Sequence, residues 1–593
     1  MRNALVRWLT IAVLGVAISG ARTLGAAETV LPLTERGLAN EVAFARLLGY
    51  VRHFHPSDEA AAADWTSLAA DGAQRVEAQP DAAALAAELQ AVFAPVAPTV
   101  RVFVTGQRPV LPPELNPSVS AEARLTRWHH FGYAADGYDG IFHSERVTRG
   151  VVAGRLPDGF PDPGEPFAAD LGGGVSCLVP LALYADIEGT LPHRRGDAPT
   201  YTAAPDPGDR ARRLAGVVLA WNVLQHFDPH IDAGATDWRA EPGTALRAAA
   251  TCADEAAYLH ALRRLAAALP DNQAFVVSLD SIGEPRGFLP IAWDWIEDRL
   301  VITHVSDLAP SGLARGDVVL SVDGTPLASL LAETEPRASG APPRWVRFPG
   351  VVAMTACSAG RSATLRVASG QESSGFREVV VRCEAEVPTF EPHPPLLQKI
   401  GDGIIYVDLT AMSDADWELA LPTLATARGL VLDLRGYPRL QRSFLAHLSS
   451  QPLAGAARLV PVVDGPERER MRFLRVGESE LAPAAPTLTA NRAFLSCGGA
   501  PGYVALYLEI VERYGLGDIV GDASAGPNGD LNATTIPGYL LTFTGTRVPN
   551  HDPLLRRGTG VRSTLPVART RGGVAVGRDE VLDRAVQLVK SRL

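Results

Sequence analysis

LVLDLRG, residues 430–436, follows IIYVDL at 404–409, and the interval between them decides the fold of the C-terminal third. Both runs are apolar through most of their length, as strands covered on two faces are. Between them, Trp417, Leu421 and Leu424 recur at helical spacing. Two parallel strands need a crossover of a dozen or more residues, and a helix supplies it. Strand, helix and strand in this order therefore predict a βαβ unit. A second unit runs from a helix at 503–514 into DIVG at 518–521. Residues 391–593 are expected to form an α/β layer.

Working toward the N-terminus, residues 281–390 change to short strands, with LVITHV at 300–305 and GLARGDVVLSVDG at 312–324. An apolar strand, a tight Gly-Asp turn and a second strand ending in Asp-Gly resemble a PDZ domain. That resemblance implies a groove that takes a peptide by strand addition, with Leu300, Val301, Gly316 and Asp317 as the peptide-binding candidates. Gly316-Asp317 and Asp323-Gly324 are also ordinary turn signals. Residues 332–359, rich in Gly, Pro and Arg, read as an insertion.

Further upstream, LLGYVRHFHPSDEAAAADW (47–65) is echoed by LAWNVLQHFDPHIDAGATDW (219–238). His53, Phe54, Pro56, Asp64 and Trp65 correspond to His226, Phe227, Pro229, Asp237 and Trp238, which points to a duplicated unit. Each copy predicts a helix stopped by its proline, a loop and a further Ala/Leu-rich helix, at 82–93 and 254–269. Residues 99–200, between the copies, carry alternating apolar runs broken by Gly and Pro and predict a β-rich insert. His53 with His55, or His129 with His130, could suggest a metal site. No Cys/His/Asp set around them has ligand spacing, so no metal and no cofactor is expected.

The chain has 593 residues, a formal net charge of -11 and no Lys/Arg-rich run, which argues against nucleic acid as a partner. Arg2 and Arg7 precede an apolar stretch from Trp8 to Ile18, with Gly25, Ala26 and Ala27 beyond it. This is the pattern of a secretory signal peptide cut near Ala26 or Ala27, and the apolar run is shorter than the roughly 20 residues a membrane span needs. Five cysteines, Cys177, Cys252, Cys357, Cys383 and Cys497, allow at most two disulfides.

An exported chain with a PDZ-like module, the DLRG strand end at 433–436 and YGLGDIVGDASAGPNG at 514–529 resembles the tail-specific (C-terminal-processing) serine peptidases. It is most similar to their secreted bacterial branch, in which helical repeats precede the PDZ domain. RVPNHD (547–552) and GVAVGRDEVLDRAVQLV (573–589) resemble that branch too. The resemblance implies a multidomain α+β protein. It has a signal peptide at 1–27, helical repeats at 28–98 and 201–280 and the β-rich insert at 99–200. The PDZ-like domain occupies 281–390 and a ClpP/crotonase-like α/β peptidase core 391–593. It also implies a periplasmic or secreted location, and unfolded or C-terminal polypeptide segments as partners.

Activity would require a hydroxyl nucleophile, a base and oxyanion donors. Counted back from Tyr514, the family's nucleophile position is Gly502, which has no side chain. Counted forward from Arg492-Ala493, it is Ser496, with Gly498 and Gly499 as a flexible turn of free N–H groups. The family's histidine, just after the helical bundle, is matched by Gln273, whose amide cannot exchange a proton near neutral pH. The lysine of other branches is matched by Pro527-Asn528-Gly529, and the family's Gly-Gly after DLRG by Arg439 and Leu440. Cys497 is a second possible nucleophile or a small buried residue. The expectation is a binding protein with substituted catalytic residues; the alternative is a peptidase that uses Ser496.

Overall fold

The computed structural model describes residues 31–593 apart from 108, 116–122, 135–137, 153–154, 194–208, 232–236, 272, 281–285, 335–354, 370–374, 386–390, 456, 478–479, 499–501, 525–528 and 549–560. The signal-peptide pattern and most of the 332–359 insertion lie outside the described residues. Among the described residues, no helix is long and apolar enough to cross a membrane.

Every residue of strands Ile404–Asp408 and Gly429–Asp433 is buried. They run parallel, with Ile404 beside Gly429 and Asp408 beside Asp433. Helix Asp414–Leu424 connects them, opened by a capping box in which Ser413 accepts from the Asp416 N–H and Asp416 accepts from the Ser413 N–H. The complete sheet runs Leu397–Gly401, Ile404–Asp408, Gly429–Asp433, Asn491–Ser496, Asp518–Gly521 and Leu565–Pro566. Only the first strand is antiparallel to its neighbour. Helices Asp414–Leu424 and Gly502–Tyr514 cover one face through Trp417, Leu421, Tyr507 and Val511. Helix Glu580–Lys590 covers the other through Val581, Ala585 and Val589.

The duplicated units form helices Glu35–Phe54, Trp65–Glu77 and Ala82–Phe93, and Arg210–Phe227, Glu241–Ala250 and Glu255–Ala267. Both long helices stop at the His-Phe pair, since the proline two residues on has no N–H for the helix. They approach where Gly49 of one copy meets Asn222, its counterpart in the other; a Cβ on Gly49 would lie 1.8 Å from Asn222 Oδ1. Asn222 Nδ2 donates across this contact to the Ala45 carbonyl at 2.9 Å. Beyond it, the ring of His53 packs on Phe227 and that of Phe54 on His226, each pair at 5.0 Å. Residue i meeting j' while j meets i' is the signature of a local two-fold relation between like units.

The β-rich insert includes strands Arg101–Val104, Arg124–Phe131, Phe142–Gly150, Phe167–Gly172, Val175–Val179 and Ala182–Ala185. It is not closed on itself. Arg124–Phe131 pairs with Arg458–Val463, which in turn pairs with Arg472–Val476, so a boundary drawn before residue 391 cuts through a shared sheet. A second excursion, strands Leu531–Ile536 and Tyr539–Thr544, pairs with Phe275–Ser278 just after the second helical unit. Tyr539, Leu541 and Phe543 thereby join the core of the helical repeats.

Residues 286–385 form a separate antiparallel sheet in the order Ile291–Ile296, Arg299–Val305, Val318–Val322, Ser362–Ala368 and Phe376–Arg382. A disulfide joins Cys357 to Cys383 beside it, while Cys177, Cys252 and Cys497 are unbridged.

Two outcomes follow from the buried repeat interface. Gly49→Ala should cost about 1–3 kcal/mol through overpacking, and Asn222→Ala in the same chain should recover much of it; additive losses in urea unfolding would refute the direct contact. Burial drives His226 and His55 down to about 3. The unfolded chain, with ordinary imidazoles near 6.5, then binds protons that the folded chain refuses, so stability should fall as pH drops from 6.5 toward 3. The slope approaches about 1.4 kcal/mol per pH unit for each such histidine. Unfolding midpoints that stay level between pH 7 and pH 5 would contradict neutral buried imidazoles.

Candidate functional site

In parallel sheets the strand C-termini gather at one edge, where open α/β folds bind ligands. Asp408, Asp433, Ser496 and Gly521 end four adjacent strands there. Alternation divides them between the faces. Tyr406 and Val431 pack with the last helix, so Asp408 and Asp433 share its side. Leu432 and Phe494 pack with the other two helices, and Ser496 shares theirs.

On the last helix's side, the DLRG stretch forms a buried ionic lock. Asp433 is 0% exposed. It accepts from Tyr406 Oη at 2.8 Å and from Arg435 Nη2 at 2.7 Å. Arg435 also donates to both oxygens of Asp579, at 2.9 and 2.7 Å, and Asp579 caps helix Glu580–Lys590 through the Leu582 N–H. His393 Nδ1 lies 3.1 Å from Asp408 Oδ2 and 3.9 Å from Asp433 Oδ2. Burial disfavours protonated His393, but its bond to Asp408 and the charge of Asp433 outweigh that and raise its pKa. This group was invisible in the sequence beyond the motif itself, since His393 and Asp579 lie far from it along the chain.

On the opposite face, Ser496 is 1% exposed and its Oγ has no hydrogen-bond partner among the described residues. The backbone around it is tightly paired. The Leu495 carbonyl accepts from the Leu434 N–H at 3.1 Å, and that of Ser496 from the Asp522 N–H at 3.3 Å. Gly521, at φ +117°, allows this approach; a Cβ there would sit 2.2 Å from the Ser496 oxygen. Gly502 opens helix Gly502–Tyr514, and the intervening Gly499 lies outside the described residues. Cys497 is half-buried against the same core. Leu440, next to Arg439, is buried and its carbonyl accepts from Tyr507 Oη at 2.9 Å.

Gln273 is held elsewhere, by the second excursion. Its N–H donates to Asp271 Oδ1 at 2.9 Å, and its carbonyl accepts from Thr542 Oγ1 at 2.7 Å. Asp271 also accepts from the Thr544 N–H and hydroxyl, at 2.6 and 2.5 Å. Gln273 Nε2 reaches the Gly529 carbonyl at 3.5 Å, while Oε1 is buried with no partner among the described residues. The structure thus brings together Gln273 and Gly529, from the two segments matched to the family's bases, and bonds neither to Ser496. Pro527 and Asn528 lie outside the described residues.

Two residues the sequence did not single out join this cluster. Burial, and then the nearby Asp271 charge, hold Asp228 well above the ordinary carboxylate value; its Oδ1 accepts from the His230 N–H at 2.6 Å. His230 Nε2 lies 3.2 Å from the Thr546 carbonyl. The available hint was HFDPH against HFHPS, the one place where the repeat copies exchange a histidine for a carboxylate.

The peptide-binding candidates lie in and beside the small antiparallel sheet. Leu300 and Val301 are 0% exposed. Strand Arg299–Val305 lies between Ile291–Ile296 on one side and Val318–Val322 on the other, paired to the latter at Val301–Val318. Val301 instead packs on Ile296 and Val574. Gly316, at φ +85°, backs onto helix Arg571–Ala575, where a Cβ would fall 2.6 Å from that of Ala575. Asp317 is buried, accepting from the Ala314 N–H at 2.7 Å and from Arg377. These residues dock the small sheet onto the C-terminal region.

No family model matches the chain, and no curated protein matches it. Among solved structures, mature CPAF is similar at 13% identity and a TM-score of 0.50, covering 64% of this chain and 96% of its own. A serine-to-alanine variant of CPAF is similar at 13% identity and a TM-score of 0.51, covering 64% of this chain and 97% of its own. The photosystem II D1 C-terminal processing protease aligns at 14% identity over 60% of this chain and 92% of its own, but its TM-score of 0.36 is too low to argue from. The chain therefore has the CPAF fold across that span.

The unpartnered hydroxyl gives a direct expectation. Ser496→Ala removes a buried, unbonded oxygen while keeping the shape, so stability should be unchanged or rise by about 0.5–1 kcal/mol. A loss above about 1 kcal/mol in urea unfolding would mean that the hydroxyl is bonded in solution.

Proposed function

We propose that this chain is an exported, tail-specific-peptidase-like protein that binds polypeptide segments and has lost most or all peptide-bond hydrolysis. One observation carries the proposal: Ser496, at the carboxyl end of its parallel strand, is 1% exposed and its Oγ has no hydrogen-bond partner among the described residues. A serine attacks only when a neighbouring group takes its proton. The amide of Gln273, tied to the Gly529 carbonyl, agrees with that loss, since it exchanges no proton near neutral pH.

The motifs at 433–436 and 514–529, together with the CPAF fold, support the family assignment. The antiparallel sheet at 286–385 supports a PDZ-like module. The Cys357–Cys383 disulfide suits an oxidising compartment and so supports export to the periplasm or medium, alongside the N-terminal Arg-flanked apolar run. A second reading, an active peptidase, draws on the position of Ser496 at the carboxyl end of a central parallel strand just ahead of a helix.

The test compares hydrolysis of an unfolded polypeptide by the wild type and by Ser496→Ala, with binding of the same polypeptide followed by fluorescence anisotropy. The expected result is binding by both proteins and equal, near-background cleavage. Without an activated nucleophile, oxyanion and binding effects leave at most about 10³–10⁴ over the reaction in water. Robust cleavage that disappears in Ser496→Ala would establish the second reading instead.

A further inference from the structure

Three buried histidines meet where the two helical repeats join the β-rich insert. His53 lies at the end of helix Glu35–Phe54, His226 at the end of helix Arg210–Phe227, and His130 on strand Arg124–Phe131. None is more than 3% exposed. The rings of His53 and His226 face each other across the repeat interface at 5.8 Å. Phe227 packs on both His53 and His130, at 5.0 and 5.1 Å, and Phe54 on both His226 and His130, at 5.0 and 5.9 Å. Tyr133 closes the cluster, 5.8 Å from His53 and 4.9 Å from Phe227. Three separate elements are thus held together through imidazole rings.

The cluster has no place for an added proton. Both ring nitrogens of His226 and Nε2 of His53 have no hydrogen-bond partner among the described residues. His130 Nε2–H donates to the His53 carbonyl at 2.7 Å, which leaves Nδ1 to accept from the Ser144 hydroxyl at 2.8 Å. Ser144 Oγ in turn accepts from the Ala134 N–H at 3.3 Å, so its own proton is the one that points to His130. A neutral imidazole fits these surroundings. An imidazolium brings a charge to bury and a further N–H to satisfy.

The charges nearby make protonation harder still. Arg52 is bonded to Tyr133 Oη at 3.1 Å, and Arg468 to the carbonyls of Gln225 and Asp228 at 2.6 and 2.8 Å. Asp464 lies toward His130 but is already engaged by Arg127, His129 and Arg472, and His143 opposes it. The Asp228 carboxyl, next to Phe227, accepts instead from the His230 N–H. Burial, and then Arg52 and the other two histidines, hold His53 well below the ordinary imidazole value. Burial, Arg468 and His130 hold His226 down to about 3, and burial holds His130 down to about 4 against its bond to the His53 carbonyl.

Separated from one another and wetted, the three rings return to about 6.5. The open form then binds protons that the closed form refuses. Closure is therefore at full strength above about pH 7 and weakens as pH falls below 6.5. The α/β core has the opposite bias, since folding strengthens the hold of His393 on its proton. We propose that the histidine cluster is an acid-sensitive joint, whose protonation parts the two repeat helices from each other and from strand Arg124–Phe131 while the α/β core stays folded. Opening uncovers Phe54, Phe227 and Tyr133, all buried in the closed form.

Hydrogen–deuterium exchange of the full chain at pH 7.5 and 5.5, read by mass spectrometry and corrected for intrinsic rates, tests the joint. Each histidine that titrates only when open raises the opening constant about tenfold over this interval, and three together about a thousandfold. Peptides covering 49–56, 126–133 and 219–228 should lose protection together, while those covering 404–409 and 430–434 keep theirs. Unchanged protection at the joint would overturn the proposal. An equal loss in the core strands would overturn it too, because the event would then be global unfolding. In the His53→Phe/His226→Phe variant, which keeps two rings without titratable nitrogens, the rise should shrink to about tenfold. A rise still near a thousandfold would show that other groups drive the opening. If the double variant does not fold at pH 7.5, His226→Phe alone serves, with an expected rise of about a hundredfold.

Discussion

Asp433 sits with no solvent exposure at the end of a parallel strand, and a bare carboxylate there would be costly enough to disfavour the fold. Arg435 makes the burial tolerable by neutralising Asp433 and reaching on to Asp579. That one guanidinium ties the second parallel strand to the cap of the C-terminal helix, which in turn seals one face of the sheet through Val581, Ala585 and Val589. Tyr406 and His393 fill the remaining lone pairs of the acidic pair. With this face closed by ions, the strand ends are held in register, and the chemistry open to the opposite face is set by what Ser496 meets there.

The two excursions from the α/β region tie it to the β-rich insert and the helical repeats. Strands Leu531–Ile536 and Tyr539–Thr544 leave it to pair with Phe275–Ser278, and they carry Asp271 and Gln273 into a hydrogen-bonded cluster with Thr542 and Thr544. Gln273 is thereby committed to holding the hairpin. The bonds to Asp271 and Thr542 are made by its backbone and the bond to Gly529 by its side chain. The same interlocking fuses the helical repeats, the insert and the C-terminal region into one packed body, since Phe543 and Val463 lie in the core that Phe44 and Phe227 begin.

The small sheet shows what local sequence leaves out. LVITHV has the composition of a peptide-accepting strand, yet composition is blind to whether both sides of a strand are already paired. Here Ile302 and its neighbours are, and the Gly316 turn is pressed against Ala575.

By itself the sequence determined the βαβ units, because apolar runs at 404–409 and 430–436 separated by a helical period leave few other arrangements. It determined the duplication, because His-Phe-X-Pro and Asp-Trp recur at a fixed interval, and it marked Ser496, Gly502 and Gln273 by their places in a motif. Tertiary structure alone decided that Gly49 faces its own counterpart Asn222, that Gln273 meets Gly529, 256 residues away, and that His393 and Asp579 converge on DLRG. Periodicity along a chain records which face of an element is buried. Which distant element buries it depends on packing and charge satisfied across hundreds of residues, and no local pattern encodes that choice.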